Sequence, residues 1–486
     1  MSEHSSRPPG RAASDIAKAQ LAAIQAGEVP PADPASTPLP SRRIFNRKVW
    51  AWGMWDFALS SFSAVITTFV FTVYLTNADL FGQRANTALG YALAAAGVLI
   101  AIAAPAIGQA VDRSGKISTV LTATTVITFF ATAGLYFVTP LDSSGHSRLW
   151  LGLLLLALGN IAYEVGQVVY NAMLSDIASP RDLGKVSGFG WGLGYIGGIV
   201  LLLVLYVGLI SPEVGWFGVT AENGLNVRVS MLLAAVWILG FALPLLFSAK
   251  NRERRAGTQK IGLLSSYGEL FRSIGRLWHT DRSIVWFLIS SAIYRDGLAG
   301  VFSFGAVLAS TAFGFDAGEV IIFGVAANVV AGVATIAFGF WDDRLGSRKV
   351  IIISLVAMVV FGAAVFVLHD GVGGLDPKLV YWVFGLGLCI FVGPTQSASR
   401  TFLARIAPPG EEGELFGLYA TTGRAVSFLA PFMYSTAILI GANAAGIDRQ
   451  SAAYFGILGI VVVLALGLVA FLPVKARPRV IAGEPL

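Results

Sequence analysis

The chain has 486 residues, of which 55% are hydrophobic and only 13% charged, with a mean hydropathy of +0.72. A soluble protein of this length carries roughly twice that share of charge, so the composition excludes an ordinary soluble enzyme and points to a multi-span protein of the lipid bilayer. The net charge of +6 does not indicate a nucleic-acid partner, because the basic residues cluster in short loops between apolar runs, where they set membrane orientation.

Residues 1–41 are rich in Ala, Pro, Ser and Gln and hold no long apolar run. They read as the body of a disordered tail, 1–46, and not as a signal peptide. Twelve apolar runs follow, at about 49–76, 87–111, 117–138, 149–175, 186–210, 227–248, 283–312, 317–340, 349–368, 378–403, 413–440 and 451–473. Each is long enough to cross a bilayer as a helix. The expected organisation is a six-helix bundle over 47–248, a connector over 249–282, a second six-helix bundle over 283–475, and a tail over 476–486. In the connector, Leu263, Leu264, Tyr267, Leu270, Phe271, Ile274, Leu277 and Trp278 recur at three- and four-residue steps. That pattern predicts an amphipathic helix, lying on the inner membrane surface or packed under the bundle.

Lys and Arg crowd alternate loops. One side collects Arg42, Arg43, Arg47, Lys48, Arg113, Lys116, Arg181, Lys185, Arg344, Arg348, Lys349, Arg405, Lys475, Arg477 and Arg479; the other has only Arg84, Arg148, Arg228, Lys378 and Arg449. The bias predicts a multi-pass plasma-membrane protein with both termini in the cytoplasm.

The chain also writes one stretch twice. GQVVYNAMLSDIASPRDLGKVSG (166–188) and TQSASRTFLARIAPPGEEGELFG (395–417) align at an offset of 229 residues, matching Gln167 with Gln396, Leu174 with Leu403, Pro180 with Pro409, Gly184 with Gly413 and Gly188 with Gly417. A second echo, GQAVDRSG (108–115) with GFWDDRLG (339–346), has an offset of 231. Two echoes in the same order predict duplicated halves, as in transporters built from parallel repeats. In the second echo, Gly108 and Gly339 allow close helix approach. Asp112 with Arg113 and Asp343 with Arg344 then supply an acid and a base to clamp neighbouring helix ends on the inner side; an ordinary positive-inside loop is the plainer reading.

This loop resembles the signature of the major facilitator superfamily. WDFALSS (55–61), NAMLSDIA (171–178), GWGLGYIGG (190–198), YRDG (294–297) and the stretch from Gln396 to Arg400 resemble more narrowly the autophagy-related vacuolar amino-acid effluxers and their bacterial relatives. The resemblance implies an all-α membrane protein of twelve transmembrane helices in two six-helix repeats, the major facilitator fold, and amino-acid export. Arg295 stands where that family usually has Asn.

Six ionisable side chains fall inside predicted spans: Asp56, Glu164, Arg295, Asp296, Arg400 and Arg424. Charge is costly in hydrocarbon, by about 2.5–3.5 kcal/mol on insertion scales, so each is expected to face the interior. Helical rise puts Glu164, Asp296 and Arg424 about 16–20 Å into their spans. Glu164, Arg295, Asp296 and Arg424 are therefore the expected substrate and coupling site, with ion pairs locking one conformation as the competing reading. Asp56 and Arg400, nearer the inner end, favour the lock. Gln167 and Gln396 are weaker candidates whose commoner use is interhelical hydrogen bonding.

The GxGxxG of Gly192, Gly194 and Gly197 is no dinucleotide site, since no strand precedes it; Gly190, Gly194 and Gly198 form a small-residue packing face. No HExxH, P-loop, nucleophile elbow or CxxC occurs, so neither an enzyme nor a cofactor or metal is expected. The single Cys389 excludes an intrachain disulfide, and His4, His146, His279 and His369 all lie outside the apolar runs. Trp50, Trp52 and Trp55 read as an interfacial belt. The expected function is secondary transport of a small polar solute by alternating access: amino-acid export as a monomer, driven by protons. A cation-coupled sugar or drug carrier, and a non-transporting receptor or assembly factor, are the alternatives.

Overall fold

In hydrocarbon a peptide group has no water to bond, so an apolar run must satisfy its backbone internally, as a helix. The computed structural model describes residues 44–141, 148–253, 272, 275–279, 281–371 and 376–475. The N-terminal tail up to residue 43, most of the connector with its expected amphipathic helix, and the tail 476–486 lie outside the described residues. Among the described residues there is no strand, and twelve helical segments are long and apolar enough to cross a membrane.

The first six are α1 Arg47–Thr76, α2 Ala85–Ser114, α3 Ile117–Phe137, α4 Leu149–Ile177, α5 Leu183–Ile210 and α6 Glu222–Ser248. The second six are α7 Arg282–Ala312, α8 Ala317–Leu345, α9 Ser347–Val367, α10 Pro377–Ile406, α11 Glu412–Ala445 and α12 Ala453–Phe471. Local chemistry sets many of the ends. The Asn46 side chain accepts from the N–H groups of Lys48 and Val49 to start α1. Asp281 caps α7, and Asp316 with Glu319 forms a capping box on α8. Asp376 followed by Pro377 starts α10.

Three spans loosen into π-helical turns, at Phe62–Phe69, Tyr206–Ile210 and Tyr381–Gly385. α11 breaks outright after Val426 and restarts at Leu429. Pro431 explains the break, because its ring collides with the carbonyl four residues back, at Ser427.

The loops after α2, α4, α8 and α10 share one end of the bundle, since consecutive spans alternate direction; this end is the basic face. Apolar side chains such as Val98, Phe130, Leu154, Val236, Val333 and Val360 stand exposed on the flanks, where acyl chains would cover them. Trp50 is exposed, but Trp52 and Trp55 are fully buried, stacked on Tyr170 at 4.3 and 4.5 Å between ring centres. Only Trp50 is therefore placed as expected of an interfacial belt.

The halves meet along α5 with α8 and α2 with α11. α5 carries two small-residue faces. The face expected from the sequence turns to α1: a Cβ on Gly190 would come within 2.4 Å of Trp52, and one on Gly194 within 2.7 Å of Ser60. A second face turns to α8, where a Cβ on Gly188 would lie 2.6 Å from the Thr335 carbonyl. These seams join the halves closely enough that the chain from Phe45 onward forms one compact unit.

Candidate functional site

Helix starts leave N–H groups without intrahelical partners and carry a partial positive charge. Two such starts are held by aspartates from the opposite half. Asp112, at the end of α2, accepts from the N–H groups of Gly413 (3.0 Å) and Glu414 (2.8 Å) at the start of α11. Asp343, at the end of α8, accepts from Gly184 (2.7 Å) and Lys185 (3.0 Å) at the start of α5. Both clamps lie on the basic face. Gly108 and Gly339 let the helices approach: a Cβ on Gly108 would sit 2.0 Å from the Gly413 oxygen, and one on Gly339 2.7 Å from the Gly184 oxygen.

The cations differ from expectation. Arg344 is exposed and makes no hydrogen bond or ion pair among the described residues. It stands one residue beyond Asp343, and a helix turns about 100° per residue, which carries its side chain off the clamp. Arg405, at the end of α10, serves instead, donating to Asp342 at 2.5 Å, Asp343 at 2.8 Å and the Ser347 hydroxyl at 2.6 Å. Arg113 is half-buried beside Asp112. At that clamp Arg252, from the connector, donates to Asp176 at 2.8 Å and Glu412 at 3.4 Å and lies 3.8 Å from Asp112. Burial works against the Arg252 charge, but Asp176, Glu412 and Asp112 outweigh it and raise its pKa.

Deeper, Arg400 is fully buried and bridges the halves. It donates to the Ser187 hydroxyl (3.0 Å) and carbonyl (2.6 Å) and to Asn171 Oδ1 (3.1 Å). Its guanidinium carbon lies 4.8 Å from the Trp52 ring centre and 5.6 Å from those of Tyr170 and Trp191. An Arg of the second half thus sits in an aromatic cage of the first. Asn171 and Arg400 are themselves repeat-related at the offset of 229. Asp56 is buried on α1 and accepts from Ser60 (2.8 Å) and Gln167 (3.4 Å), with no cation in ion-pair contact among the described residues. Gln396 accepts from the Tyr195 hydroxyl across the halves at 3.1 Å.

At mid-depth Glu164 of α4 forms an ion pair with Arg424 of α11, again across the halves, and both side chains are partly exposed, at 27% and 33%. Arg295 lies beside the same helix: its guanidinium stacks 3.6 Å from the Tyr419 ring centre and donates to the Tyr419 carbonyl at 2.9 Å. Asp296 is not brought to this group. It turns to the break in α11 and accepts from the Ala430 N–H at 2.5 Å, acting as a cap for the helix that Pro431 forces to restart. It makes no ion pair among the described residues. The four-residue cluster expected from the sequence is therefore a cross-half pair, Glu164 and Arg424, with Arg295 alongside and Asp296 apart. Arg252, Arg405, Asn171, Ser187 and the cage aromatics escaped the sequence reading. For Asn171 the signal was there, as the repeat counterpart of a buried Arg.

Two six-helix repeats, pinned together on their basic ends and holding charged groups at mid-depth, define a membrane transporter of the major facilitator type. The chain belongs to the Atg22-like vacuole effluxer family, whose model matches residues 84–479. It is 24% identical over 440 residues to the uncharacterized MFS-type transporter YxiO of Bacillus subtilis (strain 168), covering 88% of this chain and 95% of the relative. It is 25% identical over 265 residues to autophagy-related protein 22-1 of Aspergillus fumigatus, covering 51% of this chain and 42% of that protein. Among solved structures, a bacterial homologue of the iron transporter ferroportin, in an outward-facing state, superposes with a TM-score of 0.63 at 15% identity over 89% of this chain and 100% of the other. The proton:xylose symporter XylE superposes with 0.60 at 15% identity over 88% and 93%. At these identities the structural likeness speaks for the fold alone.

Proposed function

We propose that this transporter exports a small zwitterionic solute, an amino acid, across the plasma membrane by alternating access, as a monomer, with its basic face and both termini in the cytoplasm. The Glu164–Arg424 pair carries the reading. It joins the halves at mid-depth, and its partial exposure leaves both charges open to exchange with a ligand. An α-carboxylate would take Arg424, with Arg295 nearby, and an α-ammonium would take Glu164, each replacing a contact the pair makes with itself. A neutral sugar offers neither charge, which favours the amino acid over the sugar carrier. A static receptor would gain little from two clamps made to backbone N–H groups, which can be broken and remade without rearranging the helices.

Proton coupling is the second part of the proposal. Protonating Glu164 removes the carboxylate that an α-ammonium would take, so a proton and a solute compete for one pair and are exchanged across the membrane. Counterflow and ΔpH-driven flux of radiolabelled amino acids in proteoliposomes test this. The reading expects saturable flux accelerated by ΔpH, and Glu164→Gln flux that no longer responds to ΔpH. Wild-type flux indifferent to ΔpH removes the coupling; no amino acid transported, with a sugar transported instead, removes the substrate class.

A further inference from the structure

The two clamps are related by the internal repeat, and the relation exposes a substitution of parts. Gly184 and Lys185, which donate to Asp343, correspond at the offset of 229 to Gly413 and Glu414, which donate to Asp112. Arg405, the cation on Asp342 and Asp343, corresponds at the same offset to Asp176. The helix ends that supply Lys185 and Arg405 to the Asp343 clamp thus supply Glu414 and Asp176 to the Asp112 clamp: two bases become two acids. Glu412 adds a further buried carboxylate there, and Gln109 donates to buried Glu414 at 3.1 Å. Carboxylates packed this closely repel unless a cation sits among them.

The cation that reaches Asp176 comes from outside the repeat. Arg252 follows the end of α6 by four residues, in the connector between the halves. Its Nε–H donates to Asp176 (2.8 Å), one terminal NH2 to the Ala172 carbonyl (3.1 Å) and the other to Glu412 (3.4 Å). Its backbone is fixed as firmly. The Arg252 N–H donates to the Gly115 carbonyl at 2.8 Å, and Gly115, at φ 70°, has no room for a side chain: a Cβ would lie 2.2 Å from the Arg252 oxygen. Asn251 Oδ1 accepts from the Thr119 N–H at 3.2 Å, and the Ser118 hydroxyl donates to the Ala249 carbonyl at 3.1 Å. The connector is thereby laced to the first half up to the residue whose side chain reaches Glu412 of the second. At its far end Arg276 pairs with Glu411, the neighbour of Glu412, at 3.2 Å.

We infer that Arg252 is a positioning residue of the transport cycle: it stands in for the helix-borne cation of the other repeat, and makes closure of the Asp112 clamp depend on the residues that follow α6. Separation of α2 from α11 on the basic face then requires the Arg252–Glu412 contact to part. The inference concerns the clamp and stands whether or not the solute is an amino acid.

The test uses the full-length protein in proteoliposomes with Cys389 replaced by Ala and a reporter, Thr421→Cys, at the half-buried position on α11 whose hydroxyl donates to the Ala101 carbonyl of α2 at 2.8 Å across the same seam. The readout is the rate of labelling by a membrane-impermeant maleimide from the basic face. Arg252→Ala is expected to raise it about tenfold, Arg252→Lys less, and Asp176→Arg placed on Arg252→Ala, which restores the cation to the position it holds in the other repeat, to return it to within about twofold of the parent. A structural defect alone would lower the thermal midpoint of Arg252→Ala without rescue by Asp176→Arg. The inference is overturned by unchanged labelling in a folded Arg252→Ala, or by a rise that Asp176→Arg leaves in place.

Discussion

The two clamps use one geometry and opposite charge inventories. Each aspartate bonds the first N–H groups of a helix from the other half, within 2.7–3.0 Å in all four contacts. The Asp343 clamp is self-contained, with Arg405 and Lys185 on its own helix ends. The Asp112 clamp has Glu412 and Glu414 on its facing helix and takes Arg252 from the connector. Backbone geometry therefore survived duplication while the counter-charge moved to a segment that neither half owns. One seam carries its cations on its own helix ends, and the other takes Arg252 from beyond the end of α6.

The largest effect expected from breaking this contrast is at the self-contained clamp. Arg405→Ala leaves Asp342 buried without its cation and Asp343 with Lys185 alone, a loss of about 3–5 kcal/mol for a broken buried pair. Thermal unfolding in detergent should show a larger drop for this variant than for Arg400→Gln, Gly188→Ala, Glu164→Gln or Asp182→Asn. Arg400→Gln comes next. It removes the charge from the aromatic cage and most of the bonds to Ser187 and Asn171, at about 1.5–3 kcal/mol for charged hydrogen bonds. It should favour the state open to the basic face, read as faster maleimide labelling there.

Gly188→Ala sharpens the comparison sterically. Its Cβ would meet the Thr335 oxygen at 2.6 Å, so it should prop open the α5–α8 seam while leaving the α2–α11 seam untouched. Spin-label distances across the two seams would report this, and equal widening at both would contradict independent seams. Glu164→Gln should cost little stability, since the pair is partly exposed and such pairs contribute about 0–1 kcal/mol, yet remove the ΔpH response of flux.

The smallest effect is at Asp182. Burial pushes its carboxyl up, but Lys185 and Ser179 outweigh burial and hold it below the ordinary range. The stabilisation it gives is present above its unfolded value, near about pH 4, and fades as pH falls through the lowered folded value. Asp182→Asn should therefore weaken the thermal midpoint slightly at neutral pH and not at all in strong acid.

The sequence carried the architecture because bilayer physics acts locally. A run of about 20 apolar residues is a helix wherever it occurs, and the repeat then pairs the halves. It also carried Asp112 and Asp343, through the loop written twice, and the mid-depth charges, since a carboxylate or guanidinium in an apolar run must face inward. It did not carry partners. Arg405, not Arg344, serves Asp343 because helix rotation separates neighbours in sequence and packing joins residues 62 positions apart. Depth alone groups Asp296 with Arg295, yet Arg295 turns to Tyr419 and Asp296 to the restart of α11. The break itself was written in Pro431, a signal that a search for apolar runs passes over. Trp52 and Trp55 looked interfacial by position along α1, but a helix near its end has a buried face as well as a wet one.

Alternating access requires the halves to part at the basic face during every cycle. Ser187 and Ser397 meet there with their hydroxyl oxygens 3.0 Å apart, one from each half. Replacing both by Cys and oxidising the pair in proteoliposomes should abolish flux, and reduction should restore it to about the level of the unoxidised protein. Undiminished flux through the cross-linked protein would contradict the account.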